Sequence, residues 1–245
     1  MEVCVNQAKF KTLALLAGTA ALALLGAGCY VDVHDSPNVE HASQSIDLKG
    51  AKSAQVDIEM GAGELVMRGS AAPLMDADFR YRASDGRPEV RYEVNGSRGT
   101  LTIRQPSHHS LGNNDKNTWE LRLNEDVPMD INVKMGAGEG RLDLGQVALH
   151  NLEVEMGAGE LKLDLTGHPR NDMDVRVRGG VGEATIRLPR RARLEVEAHG
   201  GIGEINARGL TKRGDRWVNE PSGENAATVR VNVSGGIGGI NLICE

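Results

Sequence analysis

The chain has 245 residues, of which 31 are Gly, 40% are hydrophobic and only 3% are aromatic. Its formal charge of −6 leaves no basic excess to displace counterions from phosphates, which argues against a nucleic-acid partner. Eight Pro and no Gly at every third place exclude a collagen-like chain. So few rings leave the core to Val, Ile, Leu, Met and Ala.

Residues 1–28 read as a targeting segment. Lys9 and Lys11 form a short basic stretch, and the seventeen residues from Thr12 to Gly28 carry no charge. A spanning helix needs about 20. Leu25-Gly26-Ala27-Gly28-Cys29 resembles a bacterial lipobox, the site at which lipoprotein signal peptidase cuts before a diacylglyceryl-cysteine. It departs from the commonest form in having Gly26 where Leu is preferred. The resemblance implies a lipoprotein signal peptide over 1–28, lipidation at Cys29 and a mature chain held in the bacterial envelope, facing periplasm or exterior. Two or three acyl chains make a stable anchor. An uncleaved anchor, or an ordinary signal peptide with an unrelated Cys, remains the other reading.

Cys4, Cys29 and Cys244 are the only cysteines, which makes neither a disulfide framework nor a metal set. A Cys29–Cys244 bridge would compete with acylation. Residues 29–45 are polar with one Pro and no sustained alternation, and they are expected to form a tether.

One element then recurs six times. Met60-GAGE-Leu65, Met135-GAGE-Gly140 and Met156-GAGE-Leu161 are followed by GGVGEA from Gly179, GGIGEI from Gly200 and GGIGGI from Gly235. The first Gly of each G-x-G falls at 61, 136, 157, 180, 201 and 236, with successive gaps of 75, 21, 23, 21 and 35 residues. A period of 21–23 residues with two insertions indicates a solenoid or stacked array. Leu152, Val154 and Met156 alternate with Glu153 and Glu155, as in a half-buried strand. Continued alternation would place Ala158 inside, and likewise Val181, Ile202 and Ile237. After the corner the parity changes, and Leu161, Leu163 and Leu165 become the apolar set. Each unit is therefore expected to be strand, Gly corner, strand and turn, with the Gly pair supplying backbone angles that other residues avoid.

The 75-residue gap holds four further strand-like stretches around Phe79–Tyr81, Val90–Val94, Leu101–Ile103 and Trp119–Leu123. The 35-residue gap holds an excursion read as a hairpin carrying Trp217. The expected fold is all-β: a single-stranded β-helix or solenoid-like stack of Gly-cornered repeats with an inserted β-meander near its N-terminus. Residues 46–130 would form an N-terminal β region with the first repeat, and 131–245 the repeat solenoid.

The repeated M-G-A-G-E-L, the run Trp119-Glu120-Leu121 leading through Val127-Pro128 into the second Gly motif, and the closing GGIGGI together resemble the toast-rack family of bacterial envelope proteins. That group is similar to the C-terminal domain of LiaF-type cell-wall stress regulators and to the head-GIN group of adhesin-like proteins. The resemblance covers roughly residues 46–245. It implies a β-helix-like stack with an envelope role in sensing, scaffolding or adhesion, and it carries over no catalytic residues. Unlike the membrane-regulator members, the chain has no multi-span helical region, so a lipid tail would replace it.

The Gly motifs do not fit nucleotide sites. Val66 stands where a dinucleotide fingerprint needs its third Gly, and no Lys-Ser/Thr pair follows any copy. The Asp of calcium-binding nonapeptides is replaced by Ala184 and Ile205. The glycines are read as structural. Glu64, Glu139, Glu160, Glu183 and Glu204 occupy the same place after the corner, and Gly239 breaks the row in the sixth copy. In-register stacking would bring these carboxylates about 5 Å apart. Arg68, Arg141, Lys162, Arg187 and Arg208 lie on the same strand face, which favours a charge-balanced ladder over a divalent cation along the row. His108 and His109, with Asp115 nearby, sit in a polar loop rather than a metal set. Trp217 is read first as a cap of the stack and second as a glycan or protein contact.

No catalytic residue and no cofactor is expected. The reading is a non-catalytic, membrane-anchored envelope protein presenting a β-solenoid to a protein or cell-wall glycan. Two alternatives stand beside it. One is a polysaccharide-active β-helical enzyme using the Glu row. The other is a homo-oligomer stacked end to end through the C-terminal NLICE rung.

Overall fold

The computed structural model describes residues 39–106, 117–220 and 226–245. The segment 1–28 read as a signal peptide, Cys29, His108, His109 and Asp115 lie outside the described residues. Among the described residues no helix is long and apolar enough to cross a membrane.

Alternating apolar residues make strands nearly throughout. β1 (Val39–Ile46) leads into β2 (Ser53–Ala71), the first long strand with a Gly corner. β3 (Met75–Arg82), one 3-10 turn at Ala83–Asp85, β4 (Glu89–Asn95), β5 (Arg98–Arg104) and β6 (Thr118–Asn124) follow. β7 (Met129–Asp143), β8 (Leu149–Asp164) and β9 (Met173–Leu188) each run unbroken through a corner. The fifth copy is divided at its corner into β10 (Arg193–Ile202) and β11 (Ile205–Arg208), the sixth into β14 (Thr228–Ile237) and β15 (Ile240–Cys244). Between them lies the hairpin β12 (Thr211–Arg213) and β13 (Arg216–Val218).

The corner folds each repeat into two arms, and the arms build two layers. In the first-arm layer the order is β4-β5-β2-β7-β8-β9-β14-β10-β13-β12. In the second-arm layer it is β1-β3-β6-β2-β7-β8-β9-β15-β11. The repeat strands pair in parallel with their corners in register. Val56, Ile58, Met60, Leu65 and Met67 and their counterparts face inward from both layers into one aliphatic core. Trp119 is fully buried near the N-terminal end, edge-on to Phe79 at 5.5 Å between ring centroids. Where Gly140 replaces Leu65 in the row, Leu161, Met156 and Met135 occupy the space its side chain would take.

Several expectations are corrected. Residues 39–45 belong to β1, antiparallel to β3, rather than to a tether; β1 is a half-buried edge strand whose small polar residues mask its alternation. The boundary at 130/131 separates nothing, because β2 and β7 pair through both arms and share the core. The inserted strands are divided between the layers, β4–β5 as a hairpin beside β2 in one and β3 paired with β6 in the other. The sixth repeat is inserted between the fourth and the fifth, so the spatial order departs from the chain order. NLICE therefore lies inside the stack, between β9 and β11, and β10–β11 forms the terminal rung.

The two glycines of each corner answer different needs. At Gly159 φ is +133°, a region L side chains avoid, and an added Cβ would fall well under 3.0 Å from the Gly138 carbonyl oxygen. The first Gly of the pair has no such angle. Gly157 is required only because a Cβ there would collide with the Gly136 carbonyl. The expectation that both supply unusual angles holds for the second alone.

Across the first-arm layer, Asp130 accepts a hydrogen bond from Arg98 at 2.6 Å and another from Asn151 at 2.7 Å. Burial alone would raise its pKa. The hydrogen bonds from Arg98 and Asn151, with the charges of Arg98 and His150, outweigh that and hold the carboxyl below its ordinary value.

Gly159→Ala combines a strained φ with a backbone collision, and should cost roughly 3 kcal/mol or more in urea unfolding. Gly96→Ala, at φ +60° with open space around it, should cost only about 1–2 kcal/mol. Arg98→Met should cost about 1 kcal/mol at pH 7, discounted for partial exposure. A depressed carboxyl stabilises the fold above its unfolded pKa near 3.9. The part of the difference due to Asp130 should therefore be lost as pH falls below about 4, leaving only the smaller part due to the Arg98–Gln55 hydrogen bond, measured by urea titrations at pH 7 and pH 3.

Candidate functional site

The corner is the feature all six repeats share, and five parallel rows of residues run along it. Innermost is the residue before the Gly pair. Met60, Met135 and Met156 stack in register, then Gly179, Gly235 and Gly200 take the place. Next come the two columns of glycines. Between them sits the middle residue of G-x-G, running Ala62, Ala137, Ala158, Val181, Ile237 and Ile202.

Alternation predicted this middle residue to be inward. The structure turns it outward, because the strand bends there and the residue lies on the convex side of the bend. Val181 is 54% exposed, Ile237 52% and Ile202 71%, the exposed large hydrophobic residues of the described chain. In the last three copies the apolar bulk has thus moved from the inside, where Met becomes Gly, to the outside, where Ala becomes Val or Ile. The loss of Met leaves only a small cavity of about 40 Å³ beneath Val181 and Ile237, room for little more than a water or two.

The fifth row is the carboxylates. Glu64, Glu139, Glu160 and Glu183 are consecutive in register. Gly239 follows Glu183, and Glu204 lies beyond it, since Ile240 pairs with both Ala184 and Ile205. The break thus falls within the row rather than at its end. Arg141 bridges Glu64 and Glu139, Lys162 bridges Glu139 and Glu160, and Asn241 donates to Glu183 at 2.6 Å. The Glu160 hydrogen bond is the largest cause of the raised pKa of Lys162. Of the other basic residues expected to help, Arg68 pairs with Glu120, and Arg187 with Asp164 and Glu245. Arg208 makes no ion pair among the described residues. No group of three metal-ligating side chains converges among the described residues, and the carboxylate row does not gather into a cation site.

On the first-arm side, Glu59, Lys134, Glu155 and Arg178 alternate in sign from strand to strand. They border a Gly-floored concavity of about 780 Å³. A second hollow of about 450 Å³, further along the first arms, is lined by polar and charged groups including Arg176, Arg230, Arg216 and Glu197. Arg216 bridges Glu195 and Glu197 there, and Arg230 reaches Asp172 and Asp174.

The two ends of the corner differ. At the first copy, the Gly61 N–H donates to Gln105 Oε1 at 2.9 Å and Asn117 Nδ2 donates to the Ala62 carbonyl at 2.7 Å. Asn117 is buried, and Trp119 Nε1 donates to its Oδ1 at 3.0 Å. These two amides cap the glycine column, a role the sequence did not reveal because they flank a polar loop and belong to no repeat. Trp217 is half-buried at the other end, on a hairpin paired with β10. Lys212 Nζ lies 5.4 Å from its ring centroid. The hairpin thus lies along the first arm of the last rung. Burial pushes the Cys244 thiol above its ordinary pKa, against the opposing charge of Arg190, so it is not held as a thiolate.

The chain matches the N-terminal domain of toast_rack (DUF2154) over residues 35–187. Its structure is similar to that of a "putative cell adhesion protein" from Clostridium sporogenes ATCC 15579, with 32% identity and a TM-score of 0.80 over 85% of this chain and 100% of that one. A "putative adhesin" from Bacteroides fragilis NCTC 9343 aligns over 85% of this chain and 98% of its own at 11% identity, with a TM-score of 0.33, too slight a likeness to argue from. No curated protein matches the chain. With more than half its length matched by the family model and a near-complete structural relative at 32% identity, the chain belongs to the toast-rack family.

Proposed function

We propose that this protein is a lipid-anchored, non-catalytic envelope protein that presents its toast-rack solenoid for adhesion to a protein or cell-wall glycan. The observation that carries the reading is the likeness, over the whole of the other chain, to a structure described as a cell adhesion protein. The corner supports it. Four of its five carboxylates, Glu64, Glu139, Glu160 and Glu183, are engaged by Arg141, Lys162 and Asn241, which suits a fixed charged surface better than a polysaccharide-cleaving site. Long, flat strand faces with alternating charge offer repeated contacts to an extended partner.

Lipidation at Cys29 supplies the anchor in this reading. Full-length protein should fractionate with membranes and carry acyl mass on Cys29, and Cys29→Ala should lose both. Retention of Cys29→Ala in the membrane fraction at unchanged mass would sink the anchor. For adhesion, cells lacking the protein should bind one another or isolated cell walls less than wild type. In-cell crosslinking of the tagged chain should then identify one dominant partner that disappears with Cys29→Ala. Equal binding by both strains, with no crosslinked partner and no retained wall fragment, would overturn the adhesive role.

A further inference from the structure

The terminal rung of the stack is closed in one layer and open in the other. In the first-arm layer the hairpin of β12 and β13 covers β10. In the second-arm layer β11 pairs only with β15 among the described residues, and its other edge faces outward. Ile202, the most exposed large hydrophobic residue described, adjoins this edge. β1, where the sheet begins, lies eight strand spacings away across the same layer.

The open edge of β11 is self-complementary. The Ile240 N–H donates inward to the Glu204 carbonyl. In a parallel pair that phase turns Asn206 and Arg208 toward β15, and leaves the N–H and C=O of Ile205 and Ala207 on the free side. An antiparallel copy centred on Asn206 would set Ile205 opposite Ala207 of the second chain, and Ala207 opposite its Ile205. These two are the residues whose backbone groups are free, so both become hydrogen-bonded pairs, and Asn206 faces its own counterpart at the non-hydrogen-bonded position between them. The side chains obey the same symmetry. Glu204, Asn206 and Arg208 share one exposed face, so this register places Glu204 of each copy opposite Arg208 of the other. Arg208 is also the basic residue of its row that makes no ion pair among the described residues. The edge that closes the other layer at this end is less suited: β12 is only three residues long and carries Lys212 and Arg213, which would bring like charges together.

We propose that β11 is a homodimer site, at which two copies of this chain join their second-arm layers by antiparallel pairing of Ile205–Arg208 about Asn206. An edge of four residues is small beside a standard interface. The dimer is therefore weak in dilute solution and favoured where copies are concentrated on a surface.

The geometry gives a direct test in full-length protein carrying Cys244→Ala. At a non-hydrogen-bonded antiparallel position the two Cα atoms lie about 4.5 Å apart, within reach of a disulfide. Asn206→Cys should therefore form a 206–206 disulfide on mild oxidation, identified by peptide mapping so that bonds through Cys29 are counted separately. Asn241→Cys, one strand further in, should form at least tenfold less. Glu204→Arg should lower the yield severalfold, and the double exchange Glu204→Arg with Arg208→Glu should restore it. Equal crosslinking at 206 and 241 would overturn the site, and failure of the charge exchange to restore the yield would overturn the register. Ile202→Asp with unchanged circular dichroism should weaken self-association in sedimentation at least tenfold. Sedimentation as a monomer at every concentration, with no 206–206 bond, would dispose of the dimer whether or not the protein is an adhesin.

Discussion

The structure depends on the close approach of one peptide backbone to the next at the glycine corner. Parallel strands can bend together through a sharp corner only if the carbonyl of each lies where the Cβ of its neighbour would be. Gly136, Gly157 and Gly180 form one column, and Gly138, Gly159 and Gly182 another, for this reason. Only the second column also needs left-handed angles. Once the bend is in place, each repeat contributes inward residues to both layers, and the core of the repeats is built from aliphatic side chains, with Trp119, Phe79 and Tyr81 confined to its N-terminal end. The same bend decides the exterior, because it lifts the middle residue of each corner into solvent and lines the carboxylates up beside it.

The corner is uniform in backbone and graded in side chain. In the first three copies Met fills its concave side and Ala caps its convex side; in the last three, Gly and a branched aliphatic exchange these roles. Core packing gains nothing from this exchange, since it removes apolar volume from the interior and exposes it. The ends reinforce the asymmetry. Gln105 and Asn117 close the glycine column at the alanine end, whereas β11 stands open at the isoleucine end. A stack built from six similar units thus has a capped end and, among the described residues, an open one.

Much of this architecture was legible in the sequence because it is periodic. The corners, the parity change across them, the four inserted strands and the Trp217 hairpin all follow from spacing and alternation. What was not legible depends on relations between distant residues. Alternation counts positions along a straight strand, so it set Ala158, Val181, Ile202 and Ile237 inside, although the bend carries them out. Chain order suggests spatial order, and nothing in the GGIGGI copy signals that it enters between its two predecessors. β1 resembles a tether in sequence because an edge strand of Ser, Gln and His has little to bury. The carboxylate row was found by spacing, but its true partners were set by strand neighbours, which is why Arg141 and Lys162 serve it while Arg68 and Arg187 turn elsewhere.

The insertion of the sixth repeat between the fourth and the fifth has a consequence for how the chain folds. A solenoid whose units stack in the order of synthesis can add each rung to a finished edge as the chain emerges. Here the fifth unit is made first and has no neighbour to dock on. Its strands β10 and β11 pair with β14 and β15, whose partner residues lie 35 positions later in the chain. Until those residues arrive, β9 keeps a bare edge and the fifth unit waits as a loose flap. The sixth unit must first close a long loop to dock on β9, the kind of step that slows folding, and only then has the fifth an edge to pair with. The last two rungs are thereby added in the reverse of chain order, with the last-made strands locked inside.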